Sequence, residues 1–188
     1  MEIKIGIIIG STRPTRRGAT IGRWAFDSLP KKDGVSYDLI DLAEENLPFL
    51  QDQNEPGDQK YDLESTKLWS EKIARYDGYV WVTSEYNAGP PASLKNAIDT
   101  LYREWGKKPV AFVGYGWMGG VRSIEKLITT AARMNMVPIS APAIHVINIG
   151  NAIDEQGKII PENVRGNFER FEDNLVWWAK TLKPAREQ

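Results

Sequence analysis

Three short segments concentrate glycine, hydrogen-bond donors and aromatic residues in a way that chain connection alone does not require. Residues 10–18 read GSTRPTRRG, residues 84–91 read SEYNAGPP and residues 115–120 read YGWMGG. In the first, Ser11, Thr12, Arg13, Arg16 and Arg17 precede Gly18 and a helix-forming stretch. Free backbone N–H groups, the positive end of a helix, hydroxyl donors and guanidinium forks together suit a phosphate. The segment lacks the Gly-Lys-Ser/Thr of a nucleoside-triphosphate loop, so phosphoryl transfer is not implied and the phosphate serves as a handle. The bland alternative is a solvated basic turn. In the second segment Glu85, Tyr86, Asn87, Ala88 and Gly89 lead into paired prolines, a rigid loop whose backbone donors suit the polar edge of a planar heterocycle. Pro91 would equally well start a helix. The third offers Tyr115, Gly116, Trp117, Met118, Gly119 and Gly120, glycines with aromatic and soft side chains able to flank a ring.

The elements that must position these loops alternate along the chain. Apolar runs at 3–9, 37–42, 78–83, 109–114 and 137–147 predict strands, the last entered irregularly because of Pro138 and Pro142. Between them Ile21, Trp24, Ala25 and Leu29, then Trp69, Ile73 and Tyr76, then Ile124, Leu127, Ile128 and Ala131 mark amphipathic helices. Leu94, Ala97, Ile98, Leu101, Tyr102 and Trp105 give the most regular helical spacing in the chain, and Phe168, Phe171, Leu175, Trp178 and Leu182 predict a final helix. Strands apolar throughout, each followed by an amphipathic helix, require a parallel sheet covered on both faces. Five such units predict one α/β domain over 1–188, a flavodoxin-like, doubly wound, five-stranded sheet in the order 2-1-3-4-5. In such sheets ligands bind beyond the carboxyl ends of the strands, which is where all three loops fall.

Composition narrows the chemistry. With 188 residues the chain suits one domain. It has no cysteine, so disulfides, thiolate metal sites and cysteine nucleophiles are excluded and an intracellular, cytoplasmic setting is expected. A lone histidine, His145, cannot build the usual transition-metal site and reads as structural, so no metal is expected. Lys+Arg of 24 against Asp+Glu of 25 provides no bulk field for nucleic acid or an anionic membrane. The N-terminal apolar run, broken by Lys4 and Gly6, is too short for a signal peptide or a membrane span. Redox chemistry, if present, belongs to a bound cofactor. Trp177 and Trp178 cannot share a helical face, so one packs in the core while the other is exposed or at an interface. Glu44 and Glu45 read as a solvated turn, and 47–50 (LPFL) is an apolar cluster in polar surroundings that covers the sheet edge or reaches a partner. Lys95 and Asp99 lie in the weaker i,i+4 order, which suggests pairing across a subunit interface.

Gly10-Ser11-Thr12-Arg13, Glu85-Tyr86-Asn87 with Pro91 and 94–99 (LKNAID), and Tyr115-Gly116 with Gly119-Gly120 together resemble the NAD(P)H-dependent FMN reductase family, in register across essentially the whole chain. The resemblance implies bound FMN, NADPH or NADH as hydride donor, and reduction of free flavin, quinone, azo or metal-oxyanion acceptors in a homodimer or homotetramer. It implies that Ser11, Arg13, Arg16, Arg17 and Gly18 hold the FMN phosphate. Glu85, Tyr86, Asn87 and Ala88 would meet the isoalloxazine largely through backbone, with Tyr115, Gly116, Trp117, Gly119 and Gly120 on its other side. No catalytic side chain is implied, because hydride transfer needs no protein acid or base. The sequence departs from the family at Ser84, where proline is usual, and at Arg17, an added positive charge. The rival reading is a flavodoxin-like electron carrier without NAD(P)H oxidation. Carriers tend to be strongly acidic with arginine-free phosphate loops, and this chain is neither. A flavin-free phosphate-ligand binder would explain the first loop alone.

Overall fold

The computed structural model describes residues 2–187. Its strands are β1 (Ile3–Ile9), β2 (Val35–Asp41), β3 (Gly78–Ser84), β4 (Pro109–Tyr115), β5 (Val137–Val146) and β6 (Val164–Arg165). Its helices are α1 (Gly18–Ser28), α2 (Leu42–Glu45), α3 (Glu64–Ala74), α4 (Ala92–Asp99), α5 (Val121–Arg133) and α6 (Phe168–Arg186). The sheet order is β2-β1-β3-β4-β5-β6. The doubly wound 2-1-3-4-5 order is as expected, with one correction: a sixth, two-residue strand pairs antiparallel with β5 through His145–Arg165 and Val146–Val164. Two residues are too few to leave an alternating pattern.

Sidedness follows from the strand period of two. Ile8, Trp81, Val110 and Phe112 pack with Trp69 and Ile73 of α3, Leu94 and Ile98 of α4, and Leu127 of α5. Ile3, Ile5, Ile7, Val80, Val82 and Val113 face the other way, against Ile21 and Ala25 of α1 and Phe171 and Leu175 of α6. With both faces covered, a ligand can reach the sheet only at its rims. The irregularity expected at the entry of β5 falls inside the strand instead: Val137, Pro138 and Ile139 pair regularly with Pro109, Val110 and Ala111, and the register shifts between Ile139 and Ile144, around Pro142.

The helical spacing from Leu94 to Trp105 overshoots, since α4 stops at Asp99. Leu101 and Trp105 remain buried, and Trp105 Nε1 donates to Ile98 O at 3.0 Å, so turns rather than helix deliver the last two apolar positions. The buried Glu104 carboxylate explains the break. It accepts from Gln59 Nε2, Tyr61 OH, Ser70 Oγ and Tyr102 N–H, donors drawn from the long 46–63 connection, α3 and its own turn. Asp52 accepts from the Asp62 and Leu63 N–H groups and from Thr66 Oγ1, and so anchors the start of α3. Glu44 and Glu45 lie in α2, and Glu45 takes Lys72 Nζ at 2.7 Å rather than standing in a free turn. Lys95 and Asp99 pair with each other at 2.5 Å within α4, so the chain itself supplies the partner that the sequence assigned to a second subunit. Trp177 is exposed while Trp178 packs against the α1/α6 side of the sheet.

At the rim opposite the three loops, Lys108 is buried, and its Nζ donates to Ile73 O, Ala74 O and Tyr79 OH at 3.1–3.3 Å, closing the C-terminus of α3. Burial, aided by the Arg186 charge and opposed by Asp77 and Glu104, pushes its ammonium down to about 7. The unfolded lysine titrates near 10.4. Between pH 7 and 10 the unfolded chain therefore holds more protons at this site, so its contribution raises stability as pH rises, by up to about 1.4 kcal/mol per pH unit. Urea unfolding of the wild type and Lys108→Met at pH 7.0 and 9.5 checks this. The wild type gains on the variant at the higher pH, and a loss would contradict the depressed ammonium.

Candidate functional site

The first loop leaves β1 with Gly10 N–H donating to Val82 O and Gly10 O accepting from Ser93 Oγ, which ties it to β3 and α4. α1 then begins at Gly18 with Arg17 at its cap position, in helical conformation and without any side-chain cap bond. The first N–H groups of a helix have no intrahelical acceptor, so an uncapped start leaves them to water or an anion. Ser11 is buried beside this start and its Oγ has no partner. Arg13 and Arg17 are exposed, whereas Arg16 is half-buried and its Nη2 donates to Asp41 Oδ2 at 2.5 Å. Asp41 Oδ1 accepts the Ala43 N–H and caps α2. Arg16 is thus fixed from the β2 end, with its buried Nε unpartnered.

The second loop turns tightly. Tyr86 N–H donates to Gly89 O and Gly89 N–H to Tyr86 O, at 2.9 and 3.0 Å, around Asn87 and Ala88 with φ of 49° and 61°. Two central residues at positive φ define a type I′ hairpin turn. Asparagine tolerates that conformation; alanine pays for it sterically. The Glu85 carboxylate accepts from Arg122 N–H at 3.1 Å and Arg122 Nη1 at 2.9 Å, so it caps α5, and the Tyr86 phenol, beside Ser11, Arg13 and Ser84, faces the cleft with the loop's backbone.

The third loop is shaped by close approach. Tyr115 is buried, and a Cβ at residue 18 would lie 2.6 Å from its hydroxyl, so only glycine at the start of α1 admits the phenol. Gly119 and Gly120 sit at φ of 72° and 71°, with Gly120 capping α5. His145 Nδ1–H donates to Gly119 O at 2.9 Å, the structural role expected of the lone histidine.

These loops enclose a cleft of about 360 Å³, within the usual range for small-ligand sites. Ser11, Arg13, Arg16 and Arg17 line it from the first loop, Glu85 and Tyr86 from the second, and Tyr115, Gly116 and Trp117 from the third. Gly18, Asn87, Ala88, Gly119 and Gly120 shape its walls without lining it. Sequence reasoning missed Thr15, Ser84 and Ile149 as lining residues. Ile149 follows β5, whose carboxyl end joins the same rim and could have been searched on that ground. A larger groove of about 460 Å³ next door, lined by Leu47, Phe49, Ala92 and Asn96 among others, has no arginine in its lining, so the anion chemistry belongs to the smaller cleft.

The cleft is rich in unsatisfied hydroxyls. Ser11 Oγ, Ser84 Oγ and Tyr115 OH are buried without partners, although the two serines stand close to both Tyr115 and Tyr86. Burial raises the Tyr115 phenol above the ordinary tyrosine range. Burial also acts upward on Tyr86, but Ser11, Arg13 and Ser84 outweigh it and bring that phenol below the usual value. Buried polar groups are normally paired, and these hydroxyls, held near one another beside the start of α1, could pair with a polar ligand entering the cleft.

Residues 3–150 match the family model described as NADPH-dependent FMN reductase. The chain belongs to that family. This FMN reductase family member is 39% identical over 135 residues to an NAD(P)H-dependent FMN reductase of Schizosaccharomyces pombe, covering 71% of this chain and 68% of that one. It is 30% identical over 190 residues to a 2-hydroxy-1,4-benzoquinone reductase of a Burkholderia species, covering 96% and 98% of the two chains. A flavoenzyme NAD(P)H:(acceptor) oxidoreductase from Paracoccus denitrificans shares the fold at a TM-score of 0.67 and 20% identity over 96% of this chain and 98% of that one. The orphaned hydroxyls and uncapped α1 fit the phosphate end of FMN, and the backbone faces of the second and third loops fit a flat ring. Among the described residues no cluster of His, Cys, Asp and Glu could hold a metal ion, and no helix is long and apolar enough to cross a membrane.

The left-handed alanine makes a test of the hairpin. Ala88→Gly relieves a steric cost of roughly 1–2 kcal/mol, partly offset by the greater freedom of glycine in the unfolded chain. A net gain of about 0.5–1 kcal/mol in urea unfolding is expected; a less stable variant would contradict the type I′ geometry.

Proposed function

We propose that this family member is an NAD(P)H-dependent oxidoreductase that holds FMN in the cleft at the carboxyl ends of β1, β3 and β4 and reduces small-molecule acceptors there, residues 1–188 acting as one FMN-binding domain. The observation that carries the site assignment is the set of buried, unpartnered hydroxyls beside an uncapped helix start. Ser11 Oγ, the first N–H groups of α1, and the guanidinium groups of Arg13 and Arg17 would hold the phosphate. Arg16, neutralised in part by Asp41, supplies a fixed wall and one further N–H. Tyr115 and Ser84 offer hydroxyls to the polar chain between phosphate and ring. Backbone of Glu85 to Ala88 and the turn through Gly116, Gly119 and Gly120 would present donors to the ring edges.

Bound FMN supplies a two-electron carrier between NADPH or NADH and the acceptor. For a quinone the overall balance is NAD(P)H, one proton and quinone giving NAD(P)+ and hydroquinone. The protein's own work is placement. Rigid backbone donors set before the reaction stabilise charge that develops on the ring without reorganising. No side chain in the cleft is required as acid or base for hydride transfer, so no catalytic residue is assigned. Flavin and quinones are the acceptors that the relatives' names carry; azo compounds and metal oxyanions follow as wider proposals. Assembly as a homodimer or homotetramer is supported by Phe49, which is 76% exposed while Asn96 clamps its neighbours through Pro48 O and Leu50 N–H. A cytoplasmic location is supported by the cysteine-free composition.

Anaerobic mixing of FMN-loaded protein with NADPH, then with 1,4-benzoquinone, tests the activity. The yellow colour bleaches and then returns; a yellow protein that neither NADPH nor NADH bleaches would be an electron carrier instead. The phosphate assignment is tested by comparing FMN with riboflavin. Arg17→Ala should weaken FMN binding roughly tenfold, the effect of losing one charge-assisted bond at an exposed position, and should leave riboflavin binding within about twofold. Equal losses for both ligands would contradict a phosphate contact.

A further inference from the structure

Trp117 combines a pinned backbone with an exposed ring. Asn148 N–H donates to Trp117 O at 3.0 Å, and Ile149 N–H to Gly116 O at 3.3 Å, so the loop after β5 grips both residues. The indole is nevertheless 71% exposed. One part of the ring lies against Gly150, where a Cβ would stand 3.0 Å from Cη2 and 3.6 Å from Cζ2 and Cζ3. Glycine at 150 is what allows the ring to seat there. A large aromatic surface held in water yields nothing to folding, since its apolar area stays unburied. At the edge of a ligand cleft it offers a flat, electron-rich surface instead.

We propose that Trp117 is a specificity-determining residue, its seated indole stacking on planar acceptors at the cleft mouth and so favouring quinones over tetrahedral oxyanions. This inference rests on the reductase reading of the same cleft and names the class of acceptor that the cleft selects. An electron-poor quinone ring and an indole attract in offset or edge-on arrangements. A tetrahedral oxyanion or ferricyanide has no ring face to stack. Gly150 is a positioning residue in this scheme, because a side chain there displaces the indole without altering it.

The test titrates 1,4-naphthoquinone into FMN-loaded, oxidised protein without NAD(P)H, and follows binding alone. The chain has no cysteine, so thiol addition does not consume the probe. Trp117→Ala should raise the naphthoquinone Kd about tenfold. Trp117→Phe, which keeps a flat ring, should stay within roughly threefold of the wild type, and Gly150→Ala should fall between these two. In turnover, the naphthoquinone-to-ferricyanide ratio of kcat/KM should drop about tenfold in Trp117→Ala, mainly through KM. A naphthoquinone Kd that does not depend on Trp117 overturns the proposal. So does a loss of FMN affinity as large as the loss of quinone affinity, which would make the indole a cofactor wall. Trp117-dependent binding in a wild-type protein that never reduces the quinone would instead remove the reductase reading and keep the stacking site. Turnover without Trp117 dependence would do the reverse.

Discussion

A helix that starts without a side-chain cap, beside buried hydroxyls that lack a well-formed hydrogen bond among the described residues, is the constraint around which the rest of the rim is organised. Within a folded chain, unsatisfied buried donors are costly, of order 1–3 kcal/mol each. Here they converge at one place: the start of α1, Ser11, Tyr115 and Ser84. Gly18 exists in the form that lets Tyr115 reach this point. The Arg16–Asp41 pair fixes one wall from the side of β2, and the Asp41 cap links that wall to α2. A phosphate bound there would relieve the unpaired donors.

The parallel sheet explains why the cost is borne there. Strands buried on both faces give the core no polar surface to spare, and polar chemistry is confined to the strand ends. The carboxyl ends of β1, β3 and β4 turn into loops held by long-range bonds: Gly10 to Val82, Glu85 to Arg122, His145 to Gly119. Each bond fixes backbone, and fixed backbone is what a flat cofactor ring needs if donors are to meet its edge without rearrangement. The opposite rim uses the same materials differently. There Asp77 accepts from Lys183 and Arg186, and Lys108 closes α3, pairings that hold structure together.

Much of this was legible in the sequence. Apolar runs at 3–9, 78–83 and 109–114 correspond closely to β1, β3 and β4, because a doubly covered strand is apolar at nearly every position. The three loops were legible because glycine, arginine and aromatic residues crowd into so few positions. What periodicity could not carry was long-range. The helical spacing through Trp105 conceals a turn made by Glu104, whose partners come from residues 59–70 as well as from its own turn. Arg16 looks like a free phosphate ligand until Asp41, twenty-five positions on, takes one of its nitrogens. Glu85 looks available to a ligand until Arg122 claims it. Ser84 stood out as a departure from the family pattern, yet its orphaned hydroxyl becomes a site feature only when β1 and β4 are set beside it.

The most direct measurement is a crystal structure of the protein grown with excess FMN, read at the phosphate. The expected result is a phosphate within hydrogen-bonding distance of the first N–H groups of α1 and of Ser11 Oγ, with Arg13 and Arg17 turned toward it. A phosphate bound elsewhere, or a rim in which those hydroxyls still have no partner while FMN is present, would contradict it.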